Sequence, residues 1–204
     1  MKRLFALMSV LALICCKSKN NKIDTLGELK EASEKAAAAT EKAKDRWEER
    51  RKKGDTIAIP YKDLQSYLPE IAGYSKDGDP SGEQTSFPGM GSWSNAKQQY
   101  SNGDKHVDVS IADYNGSQAT YGGVTALYAM GFSSENDTRK EGTVDLGIKD
   151  VVAYETIYKK EPRSKLVLIV ADRFFVELES DGNNDESFLR GIAKNMKLSD
   201  LASK

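Results

Sequence analysis

The chain is poor in cysteine and histidine, and each shortage closes off a class of chemistry. Its 204 residues hold two cysteines, adjacent at positions 15 and 16. The rest of the chain has no thiol for a disulfide, a cysteine nucleophile or a thiolate metal site. His106 is the single histidine. A multi-histidine zinc site is therefore excluded, and any Ser-His-Asp site would have to be built on that one side chain. Neither charge sign is in excess, the formal net charge being −1. That balance argues against a broad nucleic-acid surface. No run after residue 16 is apolar enough to cross a bilayer as a helix. Phosphate loops are lacking too: Gly89-Met90-Gly91 has no third glycine and no flanking strand and helix of the dinucleotide kind. There is no internal repeat. Neither a cofactor nor a metal is called for by any motif.

What the chain does have begins at its N-terminus. Met1-Lys2-Arg3 is basic, Leu4 to Ile14 is almost unbroken apolar sequence, and Cys15-Cys16 follows at once. A run of about 11 residues fits the ~7–15 of a signal-peptide core and falls short of the ~20 needed to span a membrane. Leu13-Ile14-Cys15-Cys16 resembles the lipobox of bacterial lipoproteins, with Cys16 in the modified position and Cys15 as the alternative. The resemblance implies cleavage before Cys16 and attachment of more than one acyl chain, which anchors stably at ~0.8 kcal/mol per buried CH₂. Lys17 after the modified residue, in place of Asp, points by the same resemblance to the outer membrane rather than the inner one.

The expected organisation is a signal peptide over 1–15, a polar tether over 16–23, a charged Ala-rich helical stalk over 24–54 and a globular domain over 55–204. In the stalk, Asp24 or Thr25 supplies a cap, and Arg50 to Lys53 complement the dipole at the far end. Gly54 supplies the stop. Glu28, Glu31, Glu34 and Glu41 pair with Lys30, Lys35, Lys42 and Lys44 at i,i+3 or i,i+4 spacing. The stripe Leu26, Leu29, Ala32, Ala36, Ala39, Ala43 and Trp47 is too rich in alanine for a good coiled-coil seam. A spacer is favoured over a partner helix.

The globular part reads as α+β, an antiparallel β-sheet with helices packed on it. Tyr61 to Leu68 is a short helix stopped by Pro69, and 71–75 is a strand. Residues 76–91, dense in Gly, Pro, Asp and Ser, read as a loop. Ser92 to Ser101 and His106 to Tyr114 form a hairpin about Asn102-Gly103, the residue pair that best tolerates a turn of positive φ. Along the return strand Val107, Val109 and Ile111 alternate with His106, Asp108 and Ser110, giving one apolar and one polar face. Gln118 to Met130 reads as a helix. Three strands follow, over 151–159, 165–171 and 174–179, with a tight corner at Asp172-Arg173. A last helix, capped by Asp185, buries Phe188, Leu189 and Ile192. Short links between successive strands favour antiparallel pairing.

Candidate sites are few. Asp181 to Glu186 alternates oxygen ligands, but the EF-hand glycine and terminal glutamate are replaced by Glu186 and Ile192. A turn and a helix cap explain that run. Ser94-x-x-Lys97 matches a serine-nucleophile motif, yet on a strand the two side chains point to opposite faces. His106, Asp108 and Asp113 form a polar group on one strand, with no Gly-x-Ser-x-Gly elbow elsewhere to complete it. Tyr61, Tyr67, Tyr74, Trp93, Tyr100 and Tyr114 gather about the first hairpin, either as strand packing or as the lining of a groove.

Leu68-Pro69-Glu70-Ile71-Ala72-Gly73-Tyr74, the strand Val107 to Asp113 and the strand Leu168 to Val176 resemble a group of exported or membrane-tethered bacterial proteins of unassigned function. The order of strands and helices is also similar to the Mog1/PsbP sandwich. Both resemblances imply a fold and no chemistry. The function expected is that of an envelope lipoprotein facing the periplasm or exterior and acting as a non-enzymatic binding module. Its expected partners are the membrane, through the lipid, and an envelope protein. The alternatives are a small periplasmic enzyme using the face around His106, or a structural spacer acting through the stalk.

Overall fold

The computed structural model describes residues 25–87, 91–115 and 133–204. The leader, Cys15, Cys16, the tether and the helix expected over 118–130 lie outside the described residues, as do Gly89 and Met90.

Helix α1 runs Thr25–Lys52, about 42 Å at 1.5 Å per residue. Its exposed pairs Glu31–Lys35 and Lys44–Glu48 follow the i,i+4 pattern. Gly54 ends it with φ +81°, a left-handed stop that a side chain would strain. Pro60 leads into the single helical turn α2, Tyr61–Leu64, and a 3₁₀ turn continues to Tyr67.

The body is one antiparallel sheet. Its strands are β1 (Ser75–Lys76), β2 (Ser81–Phe87), β3 (Gly91–Asn102), β4 (Lys105–Asp113), β5 (Ser133–Glu135), β6 (Arg139–Val144), β7 (Val151–Tyr158), β8 (Arg163–Val170) and β9 (Phe174–Asp181). The spatial order is β1-β3-β4-β9-β8-β7-β6-β5, with β2 also on the outer edge of β3. Two further helices close the chain, α3 (Glu186–Asn195) and α4 (Leu198–Ala202). Asp185 caps α3, accepting from the Ser187 amide at 2.7 Å, and those bonds hold its carboxyl below the usual range. The fold is mixed α+β, as the alternating pattern of the sequence implies.

One face of the sheet carries the core. The register aligns Ala96, Ile111, Val176, Leu168 and Ala153 in a row across five strands, and all five are buried. Leu189, Ile192, Leu198 and Leu201 from α3 and α4 cover this row, together with Leu64 of α2. Each such side chain contributes roughly 1.5–3 kcal/mol on burial. Inside this face, Glu155 of β7 is nearly sealed from solvent, and Arg190 of α3 grips it through Nε at 2.9 Å. That pair fixes how α3 lies on the sheet.

Three sequence expectations are corrected, and two strands are added. The strand expected over 71–75 shrinks to Ser75–Lys76, because Gly73 at φ +81° and the Tyr74 N–H bonded to the Ile71 carbonyl make a turn there. The loop expected over 76–91 contains β2, whose residues from Ser81 to Phe87 pair with β3. An edge strand needs ladder bonds on one side only, so a Gly- and Ser-rich run suffices. The hairpin turn is Gly103-Asp104, not Asn102-Gly103: Asn102 pairs with Lys105, and Gly103 alone takes positive φ. Glycine first in a two-residue loop is the type II′ preference. Strands β5 and β6 extend the sheet through a polar stretch that no apolar alternation announces.

Candidate functional site

Strand β4 sorts its polar residues by parity. Val107, Val109, Ile111 and Asp113 face the core, while His106, Asp108, Ser110 and Ala112 face the opposite side. Asp113 is therefore not brought to His106. A side-chain period of two separates them absolutely, since 106 and 113 differ by an odd number. The polar group expected on one face of this strand resolves into two sites at opposite ends.

The first is a buried hub. Asp113 is fully sealed, and its carboxylate accepts four hydrogen bonds. Arg173 donates through Nε at 3.0 Å and Nη2 at 2.8 Å, and the amides of Ile59 and Asn115 donate at 2.8 Å each. Arg173 spends its remaining nitrogen on Asp55 at 3.1 Å and the Lys204 carbonyl at 2.9 Å. Asn115, also fully buried, donates to Asp55 and to the Ile57 carbonyl. Its side-chain oxygen accepts from Arg50 and Arg51 at 2.8 Å, and its main-chain oxygen accepts from Trp47 at 3.1 Å. Burial lowers the Arg50 and Arg51 pKa values, and the neighbouring Arg173 charge adds to the effect. Every lone pair of Asp113 is occupied, so nothing is left to act on a substrate. The hub ties α1, the segment before α2, the end of β4 and the β8–β9 corner together.

The second site is open. At the other end of β4 a concavity of about 650 Å³ lies on the far face of the sheet, lined by Asp77, Gln99, His106, Asp108, Glu161, Arg163, Glu179 and Asp181. The register builds it in two rows. Ser101, His106, Asp181 and Arg163 stand in one, and Gln99, Asp108, Glu179 and Lys165 in the next. Asp108 and Glu179 thus oppose each other as like charges, a destabilising pairing unless relieved. Gln99 relieves Asp108 by donating at 2.7 Å, and Arg163 relieves Glu179 by donating through Nε at 2.7 Å. The same bond raises the Arg163 pKa. Ser101 donates to Asp77 at 2.6 Å at the rim. Five carboxylates against Arg163 and His106 leave the concavity negative. Ser101 stands opposite His106 in the register, and its hydroxyl proton goes to Asp77.

Sequence reasoning found His106 and Asp108 but missed Gln99, Arg163 and Glu179, brought there by cross-strand register, and Asp77 and Glu161, brought there by connecting segments. Asp181 had a signal of a different kind, the oxygen-rich run to Glu186. That run is divided: Asp181 faces the concavity, Asn183 accepts from the Asp185 amide, and Asp185 caps α3. Among the described residues no group of His, Cys, Asp or Glu is arranged to hold a metal ion. Ser94 is buried and donates to the Ile59 carbonyl at 2.5 Å, whereas Lys97 is exposed on the other face. The aromatic residues do not form one groove. Tyr100 is buried in the core and donates to the Pro69 carbonyl at 2.5 Å; burial, helped by Glu70, pushes its pKa up to about 12. Tyr74 packs on Phe188 with ring centroids 5.7 Å apart. Trp93 belongs to the opposite face.

No protein family matches the chain, and no curated protein matches it. Among solved structures, the chain is similar to an uncharacterised protein from Mycobacterium smegmatis at 11% identity and a TM-score of 0.34, over 66% of this chain and 91% of that one.

Proposed function

We propose that this chain is a lipid-anchored binding module of the bacterial envelope, which uses the negative concavity around His106 to hold a cationic segment of an envelope partner. The observation that carries the binding half is the arrangement of charge on β4 and β9. Charged groups sealed in the sheet are saturated by hydrogen bonds, whereas those of the concavity are exposed or half-buried and joined by a few bonds to their neighbours. A surface of one dominant sign attracts the opposite sign and fixes its orientation. The anchoring half is supported by the basic start, the apolar run and the lipobox-like end at Cys16 (or Cys15), with the outer membrane as destination.

The two halves are tested separately. An oligolysine peptide should bind with an affinity that falls steeply as salt rises, and Glu179→Gln with Asp181→Asn should weaken it by about tenfold or more, equivalent to about 1.4 kcal/mol. Equal binding of oligolysine and oligoglutamate would refute the binding half. For the anchor, mass spectrometry of the mature N-terminus should find an acylated Cys16. A chain that keeps Met1 and carries no lipid would refute that half without touching the other.

A further inference from the structure

Helix α1 meets the sheet through polar groups. Among the described residues, the hydrophobic core takes no side chain from it. What holds its last turns is a set of charged and amide contacts. Arg46 bridges Asp150 at 2.5 Å and Asp172 at 3.2 Å. Arg50 bonds the Asn115 side chain and the Asp172 carbonyl, and Arg51 bonds Asn115 twice while lying over the Trp47 ring. The carboxylates bridged by Arg46 are part-exposed, 28% and 22% by side chain, so salt weakens these pairs, though less than it would fully exposed ones.

The surface that receives Arg46 is unusual in its backbone. Among the described residues, the non-glycine positions with positive φ are Asp150 (58°), Ala171 (52°) and Asp172 (52°). They form one cluster, because the Ala171 amide donates to the Asp150 carbonyl at 2.8 Å. Both of its aspartates are the ones Arg46 clamps. Backbone of this kind persists where surrounding contacts over-determine it, and the arm supplies part of that determination. The Arg46 bond also holds the Asp150 carboxyl below the usual range. On the arm side, Gly54 sits at φ +81° with open space about the position a Cβ would take. Immediately beyond it Asp55 is fixed to the body by Arg173 and Asn115.

We propose that α1 is an arm latched to the sheet corner by the Arg46 ion pairs, with Arg50 and Arg51 held on neutral oxygens of Asn115 and Asp172, and that it swings about Gly54 when the ion pairs are screened while the domain stays folded. This differs from a passive spacer. A latched arm sets the direction of the concavity relative to whatever holds residue 25, and a released one lets it turn. The inference does not depend on lipid attachment or on what the concavity binds.

Trp47 and Trp93 are the two tryptophans, so Trp93→Phe in the full chain makes Trp47 the sole reporter of the latch. Salt raised from ~0.01 M to ~1 M shortens the screening length from ~30 Å to ~3 Å. Acrylamide quenching of Trp47 should then increase several-fold and its emission shift to the red, while circular dichroism and the thermal transition of the domain persist. Asp150→Asn with Asp172→Asn removes the charges, keeping residues that tolerate positive φ. It should produce the released signal already at low salt. Three results would each overturn the latch: Trp47 protected at high salt and in the double variant, Trp47 fully quenched at low salt in the parent, or release occurring only together with unfolding of the sheet.

Discussion

The two ends of strands β4 and β9 both carry charged side chains and have opposite fates. At one end Asp113, Asn115 and Arg173 are sealed, and their hydrogen-bonding groups are almost fully used. At the other end His106, Asp108, Glu179 and Asp181 are on the far face, open to solvent, and joined by a few cross-strand bonds. Burial makes the difference. A charge taken out of water must be paired and saturated or it destabilises the fold by several kcal/mol, whereas an exposed one is satisfied by water and stays available. The buried end therefore holds the fold together, while the open end keeps charge that only water and a few cross-strand bonds satisfy.

Substitutions at the two ends should bring out that contrast. Arg173→Ala strands Asp113 in the core and should cost about 3–5 kcal/mol, read as a fall in the urea midpoint with the slope unchanged. If stability fell by less than 1 kcal/mol, the saturated-hub account would fail. Asn115→Ala removes the centre of the same network and should cost about 1–3 kcal/mol, with proteolysis near Gly54 accelerating in parallel. Gly82→Ala tests the packing beside β3: a new Cβ would stand 2.5 Å from the Asn95 carbonyl oxygen and 2.7 Å from the Tyr61 ring, so overpacking should cost about 1–3 kcal/mol.

The core behind both ends has a pH signature. The Tyr100 hydroxyl is protonated in the fold, with its pKa raised to about 12 from the ordinary 10. Its stabilising effect is complete below pH 10 and is lost as pH climbs from about 10 through 12. Tyr100→Phe, which keeps the ring and discards the ionisable group, should flatten that part of the stability–pH curve; an unchanged curve would show that other groups govern it. The smallest effect on folding is expected at the open end. His106→Ala and Asp108→Asn should change stability by about 0.5 kcal/mol or less while altering the affinity for oligolysine. A melting transition that drops as far as it does for Arg173→Ala would erase the distinction between the two ends.

Legibility in the sequence followed the strength of the local signal. The hairpin β3–β4, the meander β7–β9, the capped helix α3 and the Gly54 stop all rest on contiguous patterns, apolar alternation or a turn residue, and the structure has each of them, with the hairpin turn moved by one residue. Strands β2, β5 and β6 do not, because their side chains are mostly polar and pairing is decided by the neighbour that receives their hydrogen bonds. The site divides in the same way. Asp108 shares a face with His106 by parity alone, but Asp77, Glu161 and Arg163 reach it from strands and loops remote in sequence.

Sequence by itself determined the scarcity of cysteine and histidine, the alternation that makes each strand two-faced, and the charged helix that precedes the sheet. Those follow from residue identity and spacing. Only the tertiary structure decided that Asp113 would be locked against Arg173 instead of standing beside His106, that Asn115 would become the meeting point of α1 and the sheet, and that Asp108, Glu179 and Asp181 would gather in one concavity. The reason is that cross-strand register and burial are collective properties: they depend on which strands pair and what covers them, and no single segment encodes either.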